Sequence, residues 1–232
     1  MNVVGIIPAR GGSKGILKKN TQPVNGIPLV VRTIRALSDA LGINNVYVST
    51  DCEEIAKLAS KNGASIIDRP SEIAGDTATS ESAILNAIDV LENKKTPCDI
   101  IVFAQCTSPF TSSEEVKEAI SMIKSSEYQS VFSAKLNHSF LWKLTSDGEM
   151  IGVNHNKNLQ RQRRQDLENN YLETGAFYVF KADTFRKTQN RFCGKTGVVI
   201  SKVNPIEIDE ESDLVIAEAF AKFIEKSSVK TL

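Results

Sequence analysis

Between Gly5 and Asn20 the chain reads G-I-I-P-A-R-G-G-S-K-G-I-L-K-K-N, which places Arg10, Lys14, Lys18 and Lys19 among Gly11, Gly12 and Gly15. The apolar run Val3, Val4, Ile6 and Ile7 precedes this loop and reads as a buried parallel strand stopped by Pro8. Loops at strand carboxyl ends are where open α/β sheets bind ligands, and glycines let backbone N–H groups approach an anion closely. The loop is not a P-loop, because Lys14 is followed by Gly15 where Ser or Thr is required. It also lacks the G-x-G-x-x-G of a dinucleotide site, which needs no such cluster of cations. Four cations suit a triphosphate.

Further along, Arg69 stands before Pro70 and reads either as a helix-flanking ion-pair partner or as a ligand contact. Gln105 ends a strongly apolar stretch, where an unmet amide would be costly, so a backbone group or a ligand must satisfy it. Glu207 and Asp209 alternate in I-E-I-D, and on a strand both carboxylates would face one way and could reach one Mg²⁺. Asp213, Glu210 and Glu211 read instead as acids favouring the positive end of a last helix. His138 and His155 have no second-ligand spacing, and no general base stands out.

The elements that must position these residues alternate strand and helix. Pro28 to Leu41 has helical spacing, and Val46 to Ser49 reads as a second strand. Asp51 reads as the cap of a helix, with Glu54 at the capping-box position. Ser65 to Asp68 is a short third strand, Ser80 to Leu91 a helix and Ile100 to Ala104 a central strand. Ser112 and Glu115 repeat the capping box. Ala176 to Phe180 and Gly197 to Val203 read as later strands, and Asp213 to Glu225 as the closing helix. This order implies an α/β, Rossmann-like three-layer sheet, mostly parallel, with the polar motifs gathered at its carboxyl edge. Between 133 and 172 the pattern breaks into polar text around an Asp147-Gly148 hairpin turn. The expected organisation is one domain over 1–232, with 133–172 as an inserted arm.

The strings carry a resemblance. I-P-A-R-G-G-S-K-G followed by Lys19-Asn20, Arg69-Pro70 with D-T-A-T-S at 76–80, Q-C-T-S-P at 105–109 and I-E-I-D-E-E-S-D-L at 206–214 resemble, in order, the motifs of the CMP-N-acylneuraminate synthetases. The resemblance implies a nucleotide-diphospho-sugar transferase fold and transfer of CMP from CTP to a nonulosonic (sialic-type) acid with Mg²⁺. It casts Arg10, Lys14, Lys19 and Asp209 as catalytic, and Asp209 with Glu207 as metal ligands. Gly12, Ser13, Asn20, Arg69, Ala78, Ser80, Gln105, Thr107 and Ser108 would contact substrates, with Arg69 and the Ala78 backbone near the base and Gln105 facing the sugar acid. Lys18 lies outside the clearest match and reads as solvated. The arm would dimerise the chain and bring Lys143, and Arg163 or Arg164, to the neighbour's sugar carboxylate. Cys106 replaces the family's proline, Glu207 its usual aspartate, and Glu173-Thr174-Gly175-Ala176 its P-N-G-A or E-N-G-A. Enzymes for other 3-deoxy-2-keto sugar acids, and a nucleotide-binding module without turnover, stay open as alternatives.

Composition narrows the rest. With 28 basic and 28 acidic residues the chain has no global field to draw nucleic acid, so the cationic loop is a local device. Apolar runs are far shorter than the roughly 18 residues of a spanning helix, so no membrane association is expected. Four scattered cysteines without C-x-x-C read as a reduced, cytoplasmic protein.

Overall fold

The computed structural model describes residues 1–13, 15–161, 163 and 168–229. Its centre is a seven-stranded sheet in the order β11-β7-β10-β6-β1-β4-β5. These strands are β1 (Val3–Pro8), β4 (Val46–Thr50), β5 (Ser65–Asp68), β6 (Ile100–Ala104), β7 (Ser130–Asn137), β10 (Asn170–Lys181) and β11 (Thr196–Ile200). β1, β4, β5 and β6 run parallel to one another, as do β7 and β11, and β10 lies antiparallel between β6 and β7. The short pairs β2 (Pro23–Val24) with β3 (Ile27–Pro28), and β8 (Trp142–Leu144) with β9 (Met150–Gly152), form separate ribbons.

Alternation along β1 shows how the layers are built. Ile7 joins a core with Leu29, Ile34 and Leu37 of α1 (Leu29–Leu41), Ile55 of α2 (Glu53–Lys61), Val116 of α4 (Ser113–Lys124) and Ala217 of α6 (Glu211–Val229). Val4 and Ile6 point the other way, against Ile84 and Ile88 of α3 (Ser80–Asn93) and Phe185 of α5 (Ala182–Thr188). Helices therefore cover both faces of the sheet, giving the expected three-layer αβα arrangement.

Several local expectations are corrected. Asp51 does not cap α2, whose cap position is Cys52 without a side-chain bond. The Asp51 carboxylate instead accepts the Gly11 N–H at 2.8 Å, so it serves the loop and not the helix. Ser112 does cap α4, but Glu115 turns its carboxylate to the Lys202 N–H at 2.8 Å, so only half of the capping box forms. Glu207 and Asp209 are not on a strand: 203–209 has no ladder partner, and Ile208 N–H bonds Thr107 O at 2.8 Å. The last helix starts at Glu211, where Asp213 accepts the Asp209 and Glu210 N–H groups, both at 2.9 Å. β7 and the first half of β10 lie at the two ends of 133–172, so both ends of that segment belong to the main sheet. Sheet pairing claimed them because Ser130, Val131, Ser133 and Ala134 are buried against β10.

Candidate active site at the carboxyl edge of the sheet

Four parallel strands end on one rim. Arg10 follows β1, Asp51 follows β4, Arg69 follows β5 and Gln105 follows β6, and hydrogen bonds tie these ends together. Ala9 N–H bonds Ser49 O and Arg69 N–H bonds Thr50 O, both at 2.9 Å, which extends the ladders into the loops. Asn20 donates its side-chain amide to Arg10 O at 3.0 Å, closing the cationic loop on itself. A cavity of about 320 Å³ opens here among Arg10, Gly11, Gly12, Lys18, Asp51 and Cys52. A larger hollow of about 600 Å³ lies in the arm, between Phe140, Trp142, His155 and Arg161, and none of the residues that follow β1, β4, β5 and β6 lines it. Convergence of polar groups marks the rim as the site; size alone would choose the arm.

Gly15 is required by close approach and Gly175 by its positive φ. A Cβ on Gly15 would lie 2.6 Å from the backbone O of Asp209, so the loop packs directly on the acidic segment. Gly175, at φ +67°, would place a Cβ 2.9 Å from the Glu207 carboxylate. At Gly12 a Cβ would meet nothing within 4 Å, so that position faces open space where a ligand would lie.

The cations are arranged differently from one another. Arg10 donates from Nη1 to Gly75 O at 2.7 Å and pairs with Asp76 at 3.3 Å. Arg69 is buried and donates from Nε to Ile73 O at 2.7 Å, so it is held by its own loop and is not a helix-flanking salt bridge. Burial lowers the pKa of Arg69, opposed by the Asp51 charge and aided by that of Arg10. Lys19, only 13% exposed, donates to Ile208 O and Asp209 Oδ1, both at 2.9 Å. Lys18 is well exposed and pairs with Glu54 at 2.7 Å, which fits its reading as a solvated side chain. Lys14 lies outside the described residues.

The acids and the amide complete the rim. Burial raises the pKa of Glu207, and the nearby Asp209 charge raises it further. Asp209 is two-thirds exposed. Thr107 Oγ1 is buried without a hydrogen-bond partner among the described residues, and Gln105 is half-buried with its backbone N–H on Ala176 O at 3.1 Å. Ser108 is buried and bonds Thr174 O at 3.4 Å, so it braces the loop. Thr79 caps α3 by accepting the Ser82 N–H at 3.1 Å, which sets Ser80 at the first helical position; Ala78 N–H bonds Gly75 O at 3.1 Å. Ser13 is half-buried in the loop.

Lys143 stands apart from this rim. Lys143 is exposed on β8, and no hydrogen bond or ion pair among the described residues links it to the rim. Arg164 lies outside the described residues. Sequence reading missed the cluster Glu81, Glu173, Tyr178 and Arg191 beneath the rim, because Glu81 and Arg191 lie 110 positions apart and no local spacing connects them. A tyrosine inside the otherwise aliphatic and phenylalanine run of β10 was the available signal.

The model of the cytidylyltransferase family matches residues 4–214, nearly the whole chain. The chain belongs to the cytidylyltransferase family. It is 35% identical over 222 residues to N-acylneuraminate cytidylyltransferase A of Danio rerio, covering 94% of this chain and 50% of that protein. It is 29% identical over 224 residues to the N-acylneuraminate cytidylyltransferase of Streptococcus agalactiae serotype V, covering 93% and 52%. The chain thus spans about half the length of these relatives. A solved CMP:2-keto-3-deoxy-manno-octonic acid synthetase complexed with CTP superposes with a TM-score of 0.68 at 15% identity, covering 96% of this chain and 99% of the other. The 4-diphosphocytidyl-2C-methyl-D-erythritol synthase of Anaerococcus prevotii gives 0.66 at 16% identity, covering 95% and 96%. Both share the nucleotidyltransferase fold seen here.

Proposed function

We propose that the chain transfers CMP from CTP to a nonulosonic, sialic-type acid. The anomeric hydroxyl oxygen attacks the α-phosphorus, the bond to the β-phosphate bridge breaks, pyrophosphate leaves and the hydroxyl proton passes to solvent. The observation that carries this reading is the Lys19–Asp209 contact at 2.9 Å. It presses the cationic loop of the first strand against an acidic segment 190 positions away, so a phosphate cradle and a candidate metal site share one edge. The names of the relatives supply the base and the sugar class.

Each residue then has a task. Arg10, and Lys14 by its place in the loop, would offset charge on the leaving pyrophosphate, while Lys19 and the N–H groups around Gly12 and Ser13 cradle phosphate oxygens. Asn20 holds the loop in register. Arg69, Ala78 and Ser80 would meet the nucleotide, since cytosine needs donors to O2 and N3 and an acceptor for its amine. Gln105 and the unpartnered Thr107 hydroxyl would face the sugar acid, with Ser108 fixing their loop.

The donor set fits Mg²⁺. Burial raises the Glu207 pKa and the Asp209 charge raises it further, a repulsion that a divalent cation would relieve. No group of three or more His, Cys, Asp or Glu able to hold a metal occurs among the described residues, so phosphate and water oxygens would fill the remaining positions, as Mg²⁺ usually requires. When bound, Mg²⁺ would draw charge from the phosphate oxygens.

The exposed arm would pair two chains and bring Lys143, with Arg163 or Arg164, to the neighbour's sugar carboxylate. The cytoplasm is the compartment we propose, since all four cysteines are free and would stay reduced there. No helix among the described residues is long and apolar enough to cross a membrane. The test is pyrophosphate release from CTP with Mg²⁺ and a panel of nonulosonic and 3-deoxy-octulosonic acids. Release only with sialic-type acids supports the proposal; release only with the octulosonic acid, or none with any acid, overturns it.

A further inference from the structure

Beneath the rim, on the α3 face of the sheet, a chain of contacts crosses from one half of the site to the other. Arg191 donates from Nε to Glu81 Oε1 at 2.7 Å, with side-chain exposures of 17% and 26%. Its guanidinium lies 4.8 Å from the Phe103 ring centre and 4.6 Å from that of Tyr178, and those rings stack at 5.3 Å. Phe192 closes the edge of Tyr178 at 5.7 Å. The Tyr178 hydroxyl donates to Glu173 of β10. Burial works against the charged forms of both Glu81 and Arg191. Their mutual hydrogen bond and charge outweigh it, holding Glu81 below and Arg191 above their ordinary ranges.

Glu81 is the second residue of α3, directly after Ser80. The Thr79 cap fixes the backbone of the first turn but not where that turn sits over the sheet. Arg10 holds the preceding loop through Gly75 O, and Arg191 is the matching tie on the sheet side. Phe103, under the guanidinium, lies in β6 two residues before Gln105.

We propose that Arg191 is a positioning residue for the nucleotide: through Glu81 it fixes the first turn of α3, and with it Ser80 and the 76–79 loop, over the rim. This rests on the CTP site proposed above. A planar, stacked, hydrogen-bonded guanidinium suits the task, and a lysine would keep the charge but lose the stacking and the directed Nε–H.

The test is calorimetric titration of CTP with Mg²⁺ into the full chain, beside steady-state kinetics and thermal melts. R191M, which keeps the apolar stem, and E81M, which has no oxygen to accept the Nε–H, should each weaken CTP binding about tenfold while kcat at saturating CTP stays within about twofold. The double variant should bind no more weakly than either single one, because both remove the same tie. R191K should recover only part of the loss. Wild-type protein that binds CTP together with an R191M that binds it equally well overturns the role, even if R191M melts at a lower temperature. An E81M that binds normally while R191M does not would make Arg191 a direct ligand contact and likewise overturn it. Wild-type protein that fails to bind CTP removes the parent reading of the site instead.

Discussion

Arg10 leaves a buried strand with its side chain 30% exposed and its guanidinium on a carbonyl and a carboxylate of the 75–76 turn. The Asp76 carboxylate is exposed, so an incoming phosphate can replace it at small cost while Gly75 O keeps its bond. Arg10→Ala should therefore cost about 3 kcal/mol of transition-state stabilisation, roughly a hundredfold in kcat/KM for CTP. A near-unchanged kcat/KM would remove Arg10 from the reacting phosphates. Asp209 poses the opposite case, because its side chain is 66% exposed, and its partner Lys19, only 13% exposed, keeps its bond to Ile208 O when the carboxylate is removed. Asp209→Ala should abolish Mg²⁺-dependent turnover and shift the melting temperature only slightly. Retained turnover would move the metal elsewhere; a collapsed melt would make Asp209 structural. The residue types were readable from sequence, but their partners were not. Asp51 looked like a helix cap because an acid three residues before Glu54 is a capping signature, yet the Gly11 N–H competes for the same carboxylate and wins.

At the scale of elements, the start of α6 decides where the acidic segment sits. Asp213 takes the N–H groups of Asp209 and Glu210, and these backbone bonds hold its carboxyl below the ordinary carboxylate range. A depressed folded pKa adds stability that is complete above the unfolded value near 4 and is lost as pH falls through the lower folded value. Asp213→Ala should thus lower stability by about 1 kcal/mol at neutral pH, the usual size for a lost helix-end bond, and the two proteins' melting curves should converge on acidification. A gap that persists unchanged to pH 3 would show that the carboxylate is not the source. The strands β1, β4, β5 and β6 were legible because each is an apolar run closed by a polar residue. β7 was not, since Ser130, Ser133 and Lys135 break its apolar pattern and only pairing to β10 and β11 makes it a strand. The 206–209 alternation misled in the other direction. Its inward residue, Ile208, is fully buried as in a strand, but its backbone bonds a loop carbonyl.

Across the whole molecule, the arm carries many of the exposed large apolar side chains. Leu141, Trp142, Leu144, Met150 and Ile151 are 37–62% exposed on or beside a two-stranded ribbon, and Leu136, Tyr171 and Leu172 are exposed on β7 and β10 of the main sheet. A lone hairpin is marginal in water, and exposed apolar side chains gathered on it suit an interaction surface. If two chains pair there and each lends Lys143 to the other's site, the two halves of one site come from different subunits. Dimers lacking Arg10 in both chains, or Lys143 in both, would then be inactive, whereas a mixed dimer keeps one intact site. Mixing equal amounts of Arg10→Ala and Lys143→Ala proteins under exchange should restore about a quarter of wild-type activity, because about half the dimers are mixed and half their sites are whole. Trp142→Asp should shift sedimentation from dimer to monomer and block this rescue while leaving CTP binding in place. Absence of rescue from two variants that still form dimers would confine Lys143 to its own chain or remove it from the site.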